Sequence, residues 1–184
     1  MDREIERLEH QILELKKRLA ELRRERPPTP VRDYELVTSE GGSVRLSELF
    51  GTHSELVVVH NMGRGCSYCT LWADGFNGVF DHLENRAPFV VASPDSPAEQ
   101  SALATARGWR FPMVSTRDSE FTQEMGFGEE GAWLPGASFF RRGEAGIERT
   151  GWTSFGPGDD FCSPWHLFEL LPDGVAGWEP KMKY

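Results

Sequence analysis

The stretch ELVVVHNMGRGCSYC, residues 55–69, decides the fold. Its first part, Glu55–Met62, is a β-branched run of the kind that fills a strand buried on both faces. Gly63-Arg64-Gly65 turns the chain. From Cys66 onward Leu71, Trp72, Phe76, Val79, Phe80 and Leu83 recur at helical spacing. A second buried run, Pro88–Ala92, follows. Strand, helix and strand in this order make a βαβ unit, with parallel strands and a right-handed crossover.

Cys66-Ser67-Tyr68-Cys69 thus falls on the first turn of a helix, directly after a buried strand. Unsatisfied N–H groups and the positive end of the helix macrodipole both stabilise a thiolate on Cys66. Cys69 lies one turn further on, within reach of Cys66 and pointing inward. The first cysteine therefore reads as the exposed nucleophile and the second as the resolving thiol. Arg64, two residues upstream, is placed to lower the thiol pKa further, and Tyr68 stands between the two sulfurs in sequence. The bland alternative, two inert core thiols, fits poorly with a loop as small and polar as GRGCSYC.

Outward from this unit the signals are weaker. Val31–Thr38 and Ser43–Phe50 straddle Gly41-Gly42 as a hairpin or a short strand–turn–helix. Ser96–Gly108 reads as a helix, with Glu99 placed to complete a capping box on Ser96. Phe111–Ser115 is short and extended. Gly136–Arg141 and Gly146–Thr150 form a hairpin, and Ser163–Leu171 a last helix stopped by Pro172. The expected fold class is α/β: a central mixed β-sheet flanked by helices over residues 29–184, behind a helical extension over residues 1–28.

That extension has its own character. Ile5, Leu8, Ile12, Leu15, Leu19 and Leu22 are spaced 3, 4, 3, 4, 3, an unbroken heptad pattern, and Pro27-Pro28 end it. Such a stripe needs a partner, because an isolated helix is marginal in water. It packs either on its own domain or on a second copy. Flanking charges favour the antiparallel arrangement in a homodimer, with Asp2 opposite Arg23 and Glu9 opposite Lys16; each exposed pair is worth at most about 1 kcal/mol.

Composition narrows the function. The chain has 184 residues with 20 Lys+Arg, 29 Asp+Glu and 3 Cys, a net charge of −9. Residues 1–26 hold 8 of the basic and 7 of the acidic groups, so the acidity belongs to the globular part. That balance argues against nucleic-acid binding, which needs clustered cations. No apolar run suits a membrane span and no secretory leader is visible, so a cytoplasmic location is expected. There a close cysteine pair is catalytic or metal-binding more often than structural.

With these residues in place the chain resembles the thioredoxin-like superfamily, and within it the alkyl hydroperoxide reductase/thiol-specific antioxidant group. Trp72-Ala73-Asp74-Gly75-Phe76-Asn77-Gly78 and Gly108-Trp109-Arg110-Phe111-Pro112 resemble, more closely, a bacterial domain-of-unknown-function family of predicted dithiol–disulfide oxidoreductases. The resemblance implies a thioredoxin-like fold, a redox-active dithiol, no organic cofactor and no metal. The implied substrate is a protein disulfide or a small thiol. Cys66 matches the attacking cysteine and Cys69 the resolving one. Leu134-Pro135 matches the superfamily's Ile-Pro, which implies a cis Pro135 beside the dithiol. His60 stands where thioredoxin has a buried acid, and so could trade protons with Cys69 or be a neutral core histidine. Thiol peroxidases place Thr where this chain has Gly63, and their later arginine has no match, which argues against efficient peroxidase chemistry. Cys162 and His166 could join Cys66 and Cys69 as a Cys₃His zinc set, although their x₃ spacing is loose. A non-enzymatic dimeric binding module on the same fold is the remaining alternative.

Overall fold

The valine-rich run after Ser54 can be buried on both faces only inside a sheet covered on both sides, and that is where it lies. In the computed structural model, which describes residues 1–129 and 131–184, this run is β4 (Glu55–His60). It pairs in parallel with β5 (Phe89–Ser93), Val58 opposite Val90, and β5 pairs in parallel with β6 (Met113–Ser115). On its other side β4 is antiparallel to β9 (Gly136–Gly143), with His60 opposite Gly136. β10 (Gly146–Ser154) and then β1 (Thr29–Val31) extend that edge. The hairpin of β2 (Glu35–Thr38) and β3 (Ser43–Arg45) closes the opposite edge. The strand order is β1-β10-β9-β4-β5-β6-β2-β3, a mixed sheet.

Alternation along the strands sends side chains into two cores. Leu56, Val58, Val90 and Ala92 join Tyr34, Leu46, Phe50, Phe121 and Phe140 on one face. Val59, Phe89 and Val91 join Cys69, Trp72, Phe80, Phe111 and Trp165 on the other. The second core is roofed by α2 (Ser67–Gly78), α3 (Phe80–Arg86) and α6 (Ser163–Phe168), and α4 (Pro97–Arg107) also packs on it through Leu103 and Ala104. The first is closed by the β2–β3 hairpin and by α5 (Phe121–Glu124). A short ribbon of β7 (Gly128–Glu129) and β8 (Ala132–Trp133) stands apart.

Several local expectations meet their structure here. The Ser96–Glu99 capping box is formed in both directions, satisfying helix-end N–H groups that would otherwise be unpaired. Gln100, fully buried, ties α4 to the sheet by donating to Ser93 Oγ and the Val114 carbonyl, both at 2.9 Å. The helix expected from Cys66 to Leu83 is instead two helices. Val79 leaves helical geometry at φ −117°, after Gly78, and this re-aims Phe80 into the core. The last helix ends at Phe168, short of Leu171.

Helix α1 (Asp2–Glu25) has no buried residue. Its stripe faces solvent, from 45% exposed at Leu8 and Leu19 to 70% at Leu15. Packing of that stripe on its own domain, one of the two arrangements open from the sequence, is therefore not what is observed. Lys16 of α1 pairs with Asp160 at 2.7 Å, and just past the helix the Arg26 guanidinium lies 5.1 Å from the Trp152 ring centre. No helix is long and apolar enough to cross a membrane among the described residues.

Candidate active site

The loop from β4 to α2 is held before the first cysteine arrives. Asn61 Oδ1 accepts from the Gly63 N–H at 2.8 Å, and Asp95 Oδ2 accepts from the Arg64 N–H at 2.9 Å and from Ser93 Oγ at 3.0 Å. Gly63 sits at φ +101°, and a side chain there would press on the Asp95 carboxylate at 3.0 Å. Glycine is needed on both counts, conformation and space. The Cys66 N–H then closes a turn onto the Gly63 carbonyl at 3.1 Å.

Cys66 is the N-cap of α2, and its Sγ accepts from the Cys69 N–H at 3.0 Å. It is half-buried and Cys69 is buried, both as free thiols. The Cys69 thiol, donating to Cys66, is the largest influence lowering the Cys66 pKa to about 7; the N–H groups of Cys69 and Tyr68 help, and partial burial opposes them. The Cys69 thiol is pushed up, first by the neighbouring Cys66 sulfur and then by burial. One asymmetric pair results, in which Cys66 ionises first and Cys69 keeps its proton. Alkylation of Cys66 by iodoacetamide is therefore expected to rise through pH 7 and to level off above about pH 8. A thiol at the ordinary value of 9.0 would still be climbing there. Rate measurements from pH 5 to 9, with the modified residue mapped, check this; a midpoint near 9 would contradict it.

The other candidates fall differently. Arg64 turns its guanidinium to Glu99 of α4, 3.4 Å away, and is not among the groups that lower Cys66. Its contribution to the site is the N–H held by Asp95. His60 is 1% exposed, donates to or accepts from Ser138 Oγ at 2.9 Å, and stacks on Phe127 at 4.2 Å. Burial, reinforced by Arg149, lowers its pKa to about 3, so it is neutral. It faces the Phe121–Phe127 core, across the sheet from Cys69, because adjacent strand residues point to opposite faces. The proton exchange with Cys69 considered from sequence is thus corrected. Pro135 lies at the sheet end from which the Asn61–Gly65 loop departs, since Gly136 is opposite His60. The cis bond implied by the resemblance is corrected as well: no peptide bond is cis among the described residues, so Leu134–Pro135 is trans.

Cys162 is 3% exposed, at the start of α6 and in the same core as Cys69. Burial, then Asp159, pushes its thiol up to about 11. His166 Nε2 lies 3.0 Å from the Asp159 carbonyl oxygen. No group of three or more His, Cys, Asp or Glu side chains could hold a metal among the described residues, so the Cys₃His set is not assembled. Tyr68 stacks on Trp165 at 6.1 Å, a partner nearly a hundred residues away.

The two signature strings are seen to bind each other. Asp74 accepts from the Trp109 indole N–H at 2.8 Å and pairs with Arg107. Asn77 donates to the Gly108 carbonyl at 3.1 Å and accepts from the Arg110 N–H at 2.8 Å. The Trp72 indole donates to Asp159 at 3.3 Å. These polar residues therefore fix α2 against the end of α4 and the loop before α6, and so set the platform on which the cysteines stand. Asp159, whose nearness to Cys162 in sequence already disfavours that thiolate, also holds the Trp72 indole, and Asp95 holds the Arg64 N–H; neither of these longer links has a local sequence signal.

Comparison with solved structures gives the fold. A peroxidoxin, BcpB, from Mycobacterium tuberculosis matches at TM-score 0.55 and 24% identity over 69% of this chain and 84% of that one. AhpC of Enterococcus faecalis matches at TM-score 0.58 and 16% identity, over 72% and 82%. Peroxiredoxin Q of Xanthomonas campestris matches at TM-score 0.53 and 20% identity, over 66% and 80%. At these identities the likeness establishes the thioredoxin-like fold with an N-terminal helix added. No curated protein matches. A family model described as "Bacterial protein of unknown function (DUF899)" matches residues 3–183, so the chain, α1 and the cysteine pair included, belongs to that family.

Proposed function

We propose that this chain is a dithiol–disulfide oxidoreductase with Cys66 as nucleophile and Cys69 as resolving thiol. The observation that carries the reading is the Cys66 sulfur, half-exposed at a helix N-cap and accepting the Cys69 N–H at 3.0 Å, beside a buried Cys69. In reduction, the Cys66 thiolate attacks one sulfur of RS–SR; the S–S bond breaks and RS⁻ leaves, giving a mixed disulfide. Cys69 loses its proton to the departing thiolate, attacks Cys66 Sγ and expels the second RS⁻, which takes a proton from water. Two electrons pass from the dithiol to the substrate, and a Cys66–Cys69 disulfide remains for an external dithiol to reduce. The oxidising direction is the reverse. Pro135, at the same sheet end, is proposed as a neighbour of the bound substrate chain.

A thiol peroxidase on the same fold would oxidise Cys66 to a sulfenic acid, which Cys69 would condense with to release water. Gly63 stands where that chemistry places a hydroxyl, and Arg64 is engaged by Glu99. One assay separates the two: consumption of bis(2-hydroxyethyl) disulfide against consumption of hydrogen peroxide, each driven by dithiothreitol, with thiol mapping. The disulfide reading requires reversible Cys66–Cys69 bridging with Cys162 free. Bridging to Cys162, or turnover of peroxide alone, would overturn it.

The reading extends to assembly. Residues 1–28 are proposed as a pairing helix and residues 29–184 as the redox domain. The six solvent-facing aliphatic side chains of the α1 heptad stripe cost free energy when left in water. The acidic start and basic end of the helix complement each other only if two copies run antiparallel. Deleting residues 1–26 should lower the solution mass to that of a monomer and leave the thiol pKa near 7. Light scattering that finds the same mass with and without the segment would reject the pairing.

A further inference from the structure

Beside the dithiol the chain builds a cleft of about 480 Å³ from segments far apart in sequence. Tyr68, from between the two cysteines, forms one wall; Trp165 and Trp178 form others. The rings are packed, not scattered: Tyr68 stacks on Trp165 at 6.1 Å, Trp165 meets Trp178 edge-on at 5.7 Å, and Phe168 backs Trp178 at 4.9 Å. The C-terminal segment passes near the start of α2: Met182 Sδ lies 3.5 Å from the Thr70 hydroxyl, which donates to the Cys66 carbonyl, and the Met182 carbonyl accepts from Arg107 at 3.2 Å.

Charge on the lining is one-sided. Glu169 and Glu179 are exposed carboxylates of the cleft, and the one basic group is His166. His166 lies against the Asp159 carbonyl and 3.6 Å from Asp160, so it already has acidic company. Aromatic faces backed by carboxylates hold cations, by ring quadrupole and by Coulomb attraction together. The same carboxylates repel anions such as the glycyl and glutamyl ends of a glutathione disulfide.

Resting on the oxidoreductase reading above, we propose that this cleft selects disulfides whose flanking group carries a positive charge. The cation sits among Tyr68, Trp165 and Trp178 near Glu169 and Glu179, and brings the adjacent sulfur to Cys66. The chemistry at the sulfur is unchanged: RS–SR and the dithiol give two RSH and the Cys66–Cys69 disulfide. What the cleft adds is the choice of R.

The test compares three small disulfides that differ in charge: cystamine (dicationic), bis(2-hydroxyethyl) disulfide (neutral) and dithiodiglycolate (dianionic). The intact protein is assayed at pH 8 with dithiothreitol as reductant. Intrinsic reactivities of the three differ, so the reading is the ratio of kcat/KM values, cystamine over neutral, in wild type against Glu169→Gln/Glu179→Gln. A control, Glu40→Gln/Glu144→Gln, removes the same charge outside the cleft. The cleft pair is expected to lower the ratio about fivefold, the control to leave it in place, and 0.5 M salt to shrink the wild-type preference. A ratio equal in wild type and cleft variant, or lowered as much by the control, overturns the cleft while the oxidoreductase reading stands. If none of the three disulfides oxidises Cys66, it is the oxidoreductase reading that fails.

Discussion

Cys66→Ser is expected to lower disulfide reduction at least about 10³-fold, since it removes the sulfur proposed as the attacking atom. Cys69→Ser is expected to stop turnover and to accumulate mixed disulfides on Cys66. The asymmetry follows from position. Cys66 caps the helix, where N–H groups favour its anion, and Cys69 is buried with its proton held. Serine at 69 is a suitable replacement because its hydroxyl can still donate to the Cys66 sulfur, the largest influence on that thiol. The thiolate then survives in the trap variant, whereas Cys69→Ala should raise the Cys66 pKa. Non-reducing gels after exposure to a protein disulfide, with mass mapping of the adduct, read the outcome. Trapping by Cys66→Ser instead would mean that the order of attack is reversed.

The second large effect concerns stability at the same end of the sheet. Gly136 opens β9 directly after Pro135 and pairs with His60. A Cβ there would lie closer to the Phe127 ring and the Thr153 carbonyl than side-chain atoms approach in folded proteins. Neither obstacle can step aside, because Phe127 is stacked on His60 and Thr153 is backbone in β10. Gly136→Ala is therefore expected to cost about 3 kcal/mol or more, a fall in Tm of about 10 °C for a chain of this size. Thermal and urea unfolding measure it. A variant within about 1 kcal/mol of wild type would show that β9 and β10 can part at this end without loss.

These two sites also show where local information stops. The central βαβ unit, the cysteine pair at the helix start and the Ser96–Glu99 box were all legible in the sequence. Each depends on neighbours within four residues: periodicity, a turn, a cap. The solvent-facing stripe of α1 was legible for the same reason, though not what covers it. The helix break at Val79 was harder, because Gly75 and Gly78 weaken a helix without fixing where it bends.

Some positions were decided only when strands paired and helices docked. His60 belongs to a run apolar on both faces, so its spacing gave no cue to which core it faces; the register against β9 and the Phe127 ring placed it away from Cys69. Arg64 was near Cys66 in sequence, yet Glu99 on α4 took its guanidinium. The trans bond at Pro135 could not be read from Leu134-Pro135, because an X–Pro pair permits both isomers at little cost. Asp74 and Asn77 gained meaning from Arg107, Gly108, Trp109 and Arg110, some thirty residues on. The cleft joins Tyr68 to Trp165 and Trp178 across most of the domain. By itself the sequence determined where the two sulfurs stand, at a helix cap and one turn apart. Only tertiary structure decided which charges and rings surround them, because those come from segments that no local spacing relates.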